Sequence, residues 1–151
     1  MKGTFDREST NYTSYNAENV NHTLEVISEV VDRHKHHPAV YGLEPVNEPW
    51  QYTPIDKLKR FYWEGYKIVK TNAPSWKYII HDSFRLDAKL WSGFMSGCPD
   101  RAMDTHIYQA WNYPGSRANF YNDACGQKQA IAAMEIAFGP VVVGEWSLAT
   151  E

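Results

Sequence analysis

The sequence predicts an α/β protein that forms part of a (β/α)8 TIM barrel. Short, continuous apolar runs alternate with segments of helical periodicity, a pattern typical of parallel strands joined by crossover helices. At least four of these strands can be counted, and each is followed by polar or aromatic residues. With 151 residues, 43% of them hydrophobic and 22% charged, the chain has the composition of a folded domain.

The first half of the sequence predicts two helices and two strands. The first helix ends near His37-Pro38 and carries apolar residues at helical spacing, namely Val20, Leu24, Ile27, Val30 and Val31. Residues 40–46 form a short apolar run that predicts a buried strand. A second helix is expected after Thr53-Pro54, with an apolar face of Leu58, Phe61, Tyr62, Tyr66 and Val69, and residues 76–81 are the next predicted strand.

The second half continues the same alternation. Residues 86–95 predict a short helix, 102–108 a strand, 127–138 a helix and 141–144 a continuous apolar strand. Residues with polar, ionisable or aromatic side chains stand at the carboxyl ends of four strands: Asn47 and Glu48, His81 and Asp82, His106 and Tyr108, and Glu145 and Trp146. A TIM barrel builds its active site from these strand ends, so the distribution favours a barrel over a doubly wound sheet.

Charge and composition limit the class of partner. The formal net charge is −3 with both signs interspersed, which predicts neither nucleic-acid binding nor a polybasic membrane contact. The aromatic content of 15% favours a carbohydrate partner, because flat rings stack on the C–H faces of sugars. No apolar run is long enough to predict a membrane span.

Two features suggest an extracellular location. Asn11 and Asn21 each begin an N-glycosylation pattern, and Cys98 and Cys125 are compatible with an oxidising compartment or with buried thiols.

The His34-Lys35-His36-His37 cluster lies at a predicted helix end, where cations interact favourably with the helix dipole. We therefore expect no metal there, and nothing in the sequence predicts a cofactor.

Two glutamates at strand ends match the needs of glycosidic bond cleavage. That reaction uses one carboxyl group to protonate the leaving oxygen and a second to attack the anomeric carbon or activate water. Glu48 precedes a stiff proline, and Glu145 follows a buried strand. His106 and Tyr108 share one face of the intervening strand, because residues i and i+2 point the same way. Together these residues predict a glycosidase site.

Four segments resemble successive strand-end motifs of the family 5 glycoside hydrolases, in particular the exo-β-1,3-glucanases. In chain order they are GLEPVNEPW, YIIHDSF, DTHIYQAW and VVVGEWSLA, and the resemblance extends from about Phe5 to Ala149. It implies that Glu48 is the general acid/base and Glu145 the nucleophile. It also implies that Asn47 contacts the 2-hydroxyl of the reacting sugar, and that Tyr108 holds the nucleophile.

The resemblance also implies roles for other residues of the site. It places His106 in the subsite of the cleaved sugar and Trp111 in an aromatic clamp on the leaving-group side. Trp146 is also expected to bind substrate, and His81 and Asp82 are expected to support the site. The implied substrate is a β-glucan, cleaved with retention of configuration and with no metal.

The matched motifs correspond to about strands 4 to 7 of the family's barrel. Residues 1–151 are therefore expected to be the central-to-C-terminal part of a single catalytic domain, inactive or nearly so by itself. Pro45 stands where the family usually has an aliphatic residue, and Cys125 stands where similar secreted enzymes have half of a disulfide.

Three functional hypotheses stay open. The first is exo-acting hydrolysis of β-1,3-glucan with release of glucose. The second is an endo-β-glucanase or mannanase that uses the same catalytic pair. The third, from another class, is a non-catalytic carbohydrate-binding protein, which the presence of both glutamates, Asn47 and Tyr108 disfavours.

Overall fold

The computed structural model describes residues 17–109 and 116–147. Four helices and four strands alternate along the chain, as the sequence predicts. The elements are α1 (Ala17–His34), β1 (Gly42–Leu43), α2 (Ile55–Asn72), β2 (Lys77–His81), α3 (Ala88–Trp91), β3 (Arg101–Tyr108), α4 (Arg117–Ala137) and β4 (Val141–Ser147).

The strands form one parallel sheet in the order β1-β2-β3-β4. Because each strand lies beside its predecessor and is joined to it through a helix, the described residues form an arc of a (β/α)8 barrel. All four carboxyl ends lie at the same edge, which brings the loops that follow them together. The predicted partial barrel is confirmed at this level.

The first strand is much shorter than predicted. The sequence predicts a strand over residues 40–46, but only Gly42–Leu43 pairs with its neighbour, opposite Lys77 and Tyr78. Pro45 lacks a backbone N–H, so it cannot extend the hydrogen-bonded ladder. A side chain at Gly42 would collide with the backbone of Lys77, and the strands meet closely at this point.

Two helices also differ from their predicted bounds. α4 begins at Arg117, ten residues before the predicted start, where Ser116 Oγ accepts a hydrogen bond from the N–H of Asn119 and caps the helix. The early turns of α4 are largely exposed and carry no apolar periodicity. α3 has only four residues, Ala88–Trp91, instead of the predicted ten, and Asp87 caps it.

The core lies between α2 and the sheet. Leu58, Tyr62 and Val69 of α2 are fully buried, as are Tyr78 and Ile80 of β2. α1 packs against α2 and adds Ile27 and Val31 to the same core, and α4 contributes Met134. The hydroxyl of Tyr62 donates to the backbone carbonyl of His81 at 2.9 Å, which fixes the end of β2 relative to the helix layer.

β4 contains one extra residue relative to β3. Asp104 pairs with Val142, but His106 pairs with Glu145, so two steps on β3 correspond to three on β4. The extra residue is Gly144, whose N–H donates to Asp104 Oδ1 at 2.7 Å. This β-bulge re-aims the residues that follow it, as bulges near active sites commonly do.

Among the described helices, none has the length and apolar character that a bilayer crossing requires.

Candidate active site

Three side chains from three strand ends meet at the carboxyl edge of the sheet. One nitrogen of His106 and one oxygen each from Glu48 and Glu145 lie within 4.8 Å of one another. His106 Nδ1 is 2.8 Å from Glu48 Oε1 and 3.5 Å from Glu145 Oε2. The two glutamates that the sequence singles out are therefore neighbours in space, although 97 positions separate them.

Glu48 lies in a strained loop after β1. Its φ angle is 46°, in the left-handed region that residues with side chains seldom adopt. The following Pro49 is buried, and its carbonyl oxygen accepts from Ser83 Oγ at 2.8 Å. Ser83, in the loop after β2, also has a positive φ of 62°. The two loops hold each other in place, which fixes the position of the Glu48 carboxyl.

Glu145 faces the site because of the bulge at Gly144. Its Oε2 accepts a hydrogen bond from the hydroxyl of Tyr108. The hydrogen bond to Glu145 is the main reason that the pKa of Tyr108 rises to about 12, so the phenol stays protonated and remains a donor. With 42% of its side chain exposed, Glu145 is also open to a ligand.

His106 joins the two halves of the site and is almost inaccessible, with 1% of its side chain exposed. Nδ1 faces Glu48, and Nε2 lies 3.2 Å from Asp104 Oδ2. Burial disfavours the charged imidazole, but the hydrogen bond with Glu48 and the charges of Asp104 and Glu145 outweigh it, and the pKa of His106 is raised. Because both ring nitrogens face carboxylates that need N–H donors, we interpret the cluster as a proton-binding site and assign no metal to it.

His81 and Asp82 lie directly behind this cluster and are fully buried. The ring of His81 packs edge-on against that of His106, with centroids 4.4 Å apart. Burial, and then the charge of His106, lower the pKa of His81 to about 4. Asp82 accepts hydrogen bonds from Thr105 Oγ1 and the N–H of Phe84, both at 2.8 Å. These contacts organise the strand ends and the loop after β2.

Sequence reasoning missed two acidic residues of the site, Glu44 and Asp104. Asp104 is two residues before His106, so the same-face rule for strands could have found it. Glu44 follows β1, and its carboxyl lies in hydrogen-bonding reach of Asp104. Burial, and then the charge of Asp104, raise the pKa of Glu44 to about 8. No single-residue signal predicts this pair, because its members are 60 positions apart.

The other predicted site residues are less central. Asn47 is exposed immediately before Glu48. Trp146 lies on the opposite face of β4 from Glu145, where it lines a cavity under α4 with Ile107 and Val143. The structure does not bring Trp146 to the carboxylates. Trp111 lies outside the described residues.

Comparison with curated proteins finds several similar chains, although no family model matches. Glucan 1,3-beta-glucosidase 1 of Schizosaccharomyces pombe is 31% identical over 137 residues, which cover 85% of this chain and 33% of the relative. Probable glucan 1,3-beta-glucosidase A of Emericella nidulans is 34% identical over 117 residues, which cover 72% of this chain and 27% of the relative. The chain thus spans about a third of the length of these relatives.

Solved structures share the fold at low sequence identity. Endo-glycoceramidase II from Rhodococcus sp. matches 88% of this chain and 35% of its own with a TM-score of 0.66 and 18% identity. The catalytic domain of the major endoglucanase from Xanthomonas campestris pv. campestris matches 84% of this chain and 44% of its own, with a TM-score of 0.51 and 19% identity. These likenesses agree with the partial barrel seen in the described residues.

Proposed function

The chain belongs to the family 5 type of glycoside hydrolases, and from this premise we propose that its parent protein hydrolyses β-glucosidic bonds with retention of configuration. Glu48 acts as general acid/base and Glu145 as nucleophile. Residues 1–151 belong to a single catalytic domain, and no cofactor is needed for this chemistry.

The observation that carries the proposal is the short separation of the two carboxyl groups. Their nearest oxygens belong to a cluster whose members lie within 4.8 Å of one another. Retaining glycosidases have carboxyl groups about 5–5.5 Å apart, whereas inverting enzymes need about 6.5–9.5 Å to fit a water molecule. The observed spacing supports direct attack by Glu145 on the sugar.

In the first step, Glu145 attacks the anomeric carbon while Glu48 gives its proton to the departing glycosidic oxygen. The bond from the anomeric carbon to that oxygen breaks, and a glycosyl ester of Glu145 forms. The hydroxyl of Tyr108 donates to Glu145 and keeps one of its oxygens oriented.

In the second step, Glu48, now a carboxylate, takes a proton from water, and the water oxygen attacks the anomeric carbon. The ester to Glu145 breaks and the second inversion restores the original configuration. Throughout, His106 contacts Glu48 at 2.8 Å and can hold this carboxyl in place in both protonation states.

For the substrate, we propose a β-1,3-glucan cleaved from its end with release of glucose. Support comes from the relatives, which are named glucan 1,3-beta-glucosidases. Asn47 would contact the 2-hydroxyl of the reacting sugar, and Trp111 would contribute an aromatic contact on the leaving-group side. The second candidate is an endo-acting β-glucanase or mannanase, for which the fold shared with an endoglucanase is the supporting observation.

We propose an extracellular or cell-wall location, where such a glucan would be encountered. The glycosylation pattern at Asn21 lies on α1, where this asparagine is exposed. Cys98 and Cys125 are both free thiols, and Cys125 is exposed.

The test is nucleophile replacement in the full-length parent protein. We expect Glu145→Ala to reduce hydrolysis of an aryl β-glucoside by roughly a thousandfold or more, because the covalent route is lost. Azide should restore turnover and yield the α-glucosyl azide, since it attacks once and inverts. Glu64→Ala, on the outer helix α2, is the matched control and should behave as wild type.

Unchanged turnover in Glu145→Ala would contradict the assignment. The products formed from a long β-1,3-glucan separate the two candidates, since glucose alone from the earliest times supports exo action. A ladder of oligosaccharides supports endo action, and hydrolysis of mannan in place of glucan supports a mannanase.

A further inference from the structure

The buried carboxyl pair formed by Glu44 and Asp104 has no part in the double displacement. The two carboxyl groups are within hydrogen-bonding reach of each other, and Glu44 Oε1 is buried without a hydrogen-bond partner among the described residues. Two adjacent carboxylates in a poorly solvated place repel strongly, and such pairs retain one proton between them at pH values where isolated carboxyls are ionised.

The neighbours of the pair indicate which member holds the proton. Asp104 accepts from the N–H of Gly144 at 2.7 Å and lies 3.2 Å from His106 Nε2, and donors of this kind favour a charged carboxylate. For Glu44, burial and the charge of Asp104 both disfavour the charged form, and its unpartnered oxygen is less costly in a neutral acid than in an anion. Glu44 is therefore the protonated member.

We propose that Glu44 and Asp104 are a positioning pair for the acid/base Glu48, with His106 as the link. The protonated Glu44 donates to Asp104, and the charged Asp104 keeps His106 as an imidazolium that donates from Nε2 to Asp104 and from Nδ1 to Glu48. The effect on hydrolysis rests on the proposed function of Glu48, whereas the charge state of His106 can be measured without it.

Of the three carboxyl groups that contact His106, that of Asp104 is the most buried. Asp104 has 7% of its side chain exposed, against 25% for Glu48 and 42% for Glu145. From β2, the neutral His81 packs on the ring and the buried Asp82 lies nearby. Since charges interact more strongly where solvent is excluded, removal of the Asp104 charge should affect His106 most.

One consequence concerns the loss of a proton from His106. A neutral imidazole has a single N–H, so it can donate to Asp104 or to Glu48 but not to both. Asp104 is the more buried acceptor and would keep that N–H, because an unpaired buried charge is the costlier alternative. Glu48 would then lose its donor, and turnover should decline as the pH rises through the pKa of His106.

The first test follows the imidazole of His106 by ¹H–¹⁵N spectroscopy of the full-length protein. Asp104→Asn should lower the titration midpoint of His106 by about one pH unit or more. Glu44→Gln keeps a donor of similar shape without a charge, so below about pH 8 it should leave that midpoint in place. Glu64→Gln, on α2, controls for the loss of a remote carboxyl. The reverse result, a large shift in Glu44→Gln and none in Asp104→Asn, would overturn the proposal.

A second measurement does not depend on the folding of Asp104→Asn. The infrared difference spectrum between the wild-type protein and Glu44→Gln at pH 7 should contain the C=O band of one protonated carboxyl, and taking the difference separates this band from any band of the acid/base Glu48. The wild-type ¹⁵N spectrum at the same pH should show His106 with both nitrogens protonated. A neutral His106, or the absence of a protonated-carboxyl band from the difference spectrum, would refute the proposal.

The third measurement is the pH profile of kcat/KM with an aryl β-glucoside. In Asp104→Asn the alkaline limb should move to lower pH by the same amount as the His106 midpoint. A wild-type protein without hydrolytic activity would defeat the proposed function, while the spectroscopy would still decide the charge state of His106. An active Asp104→Asn with an unmoved alkaline limb would defeat the positioning role alone.

Discussion

His81 illustrates how a buried residue without a direct part in the chemistry can govern the pH range of the protein. Its ring is inaccessible, and Nδ1 accepts from the N–H of Ser83 at 2.9 Å, so the proton of the neutral ring lies on Nε2. Nε2 has no hydrogen-bond partner among the described residues. A second proton would place a buried positive charge beside the imidazolium of His106.

This arrangement predicts a loss of stability in mild acid. The pKa of His81 is about 4 in the folded protein and about 6.5 when unfolded, so its contribution is complete above about pH 6.5 and declines as the pH falls towards 4. The full effect is roughly 3 kcal/mol. We expect His81→Asn, which keeps an acceptor for Ser83, to flatten the fall in unfolding free energy between pH 6.5 and 5.

Urea unfolding at a series of pH values measures this effect. His22, an exposed residue of α1, provides the control variant His22→Asn, for which the slope should match that of the wild type. A wild-type slope in His81→Asn would show that another group is responsible for the acid sensitivity.

For single residues, the sequence identifies a functional side chain well when its neighbours in the chain form a recognisable motif. It identifies a side chain poorly when the role of that side chain comes from partners far away in the sequence. Glu48 and Glu145 stand in distinctive motifs, and His106 and Tyr108 share a strand face. Glu44 and Asp104 become informative only when the two strands are placed side by side, and the charge state of each depends on the other.

Among the elements, α2 packs so closely on β2 that one helical position must be glycine. A Cβ at Gly65 would collide with the hydroxyl of Tyr78, which is buried and cannot swing into solvent. We expect Gly65→Ala to lower the unfolding free energy by about 1–3 kcal/mol, because overpacking outweighs the better helix propensity of alanine.

Gly126 in α4 is the matched control for this substitution. A Cβ there would meet nothing within 4 Å, so Gly126→Ala should raise the unfolding free energy by about 0.5–1 kcal/mol. Urea unfolding of both variants gives the comparison. Stabilisation of both would show that Tyr78 adjusts and that the contact is not tight.

The elements that sequence reasoning placed well are those whose apolar pattern reflects burial. α2 and β2 carry full apolar faces, and the start of α2 and both bounds of β2 agree with prediction within a residue. The predicted fourth helix is too short because the first turns of α4 are largely exposed and show no apolar periodicity. The predicted strand at 40–46 is too long because Pro45, although buried, has no N–H to donate to the neighbouring strand. The pattern of apolar residues in the sequence gives no sign of the bulge at Gly144.

For the molecule as a whole, the outer strands of the described sheet are β1 and β4. On β4, Val142 is 47% exposed and Trp146 is 64% exposed. An apolar strand at the edge of a sheet can pair with another chain, and a charge at that edge opposes such pairing. We expect Val142→Lys to reduce self-association of the 151-residue chain, as measured by analytical ultracentrifugation.

Ile136 on α4 is 89% exposed but lies away from the sheet edge, so Ile136→Lys adds the same charge without blocking strand pairing. It should change self-association much less than Val142→Lys. An equal decrease in both variants would indicate that net charge, rather than the strand edge, controls association.

The extra residue at Gly144 makes the site depend on a count as well as on chemistry. Because Gly144 bulges, Glu145 pairs with His106, and the two side chains share a face of the sheet. If Gly144 took the regular place opposite His106, Glu145 would come opposite Ile107, and its carboxyl would turn to the helix side of the sheet, away from Tyr108. The site would then be lost while the sequence motif stayed intact, so the register of this strand matters as much as the presence of the two glutamates.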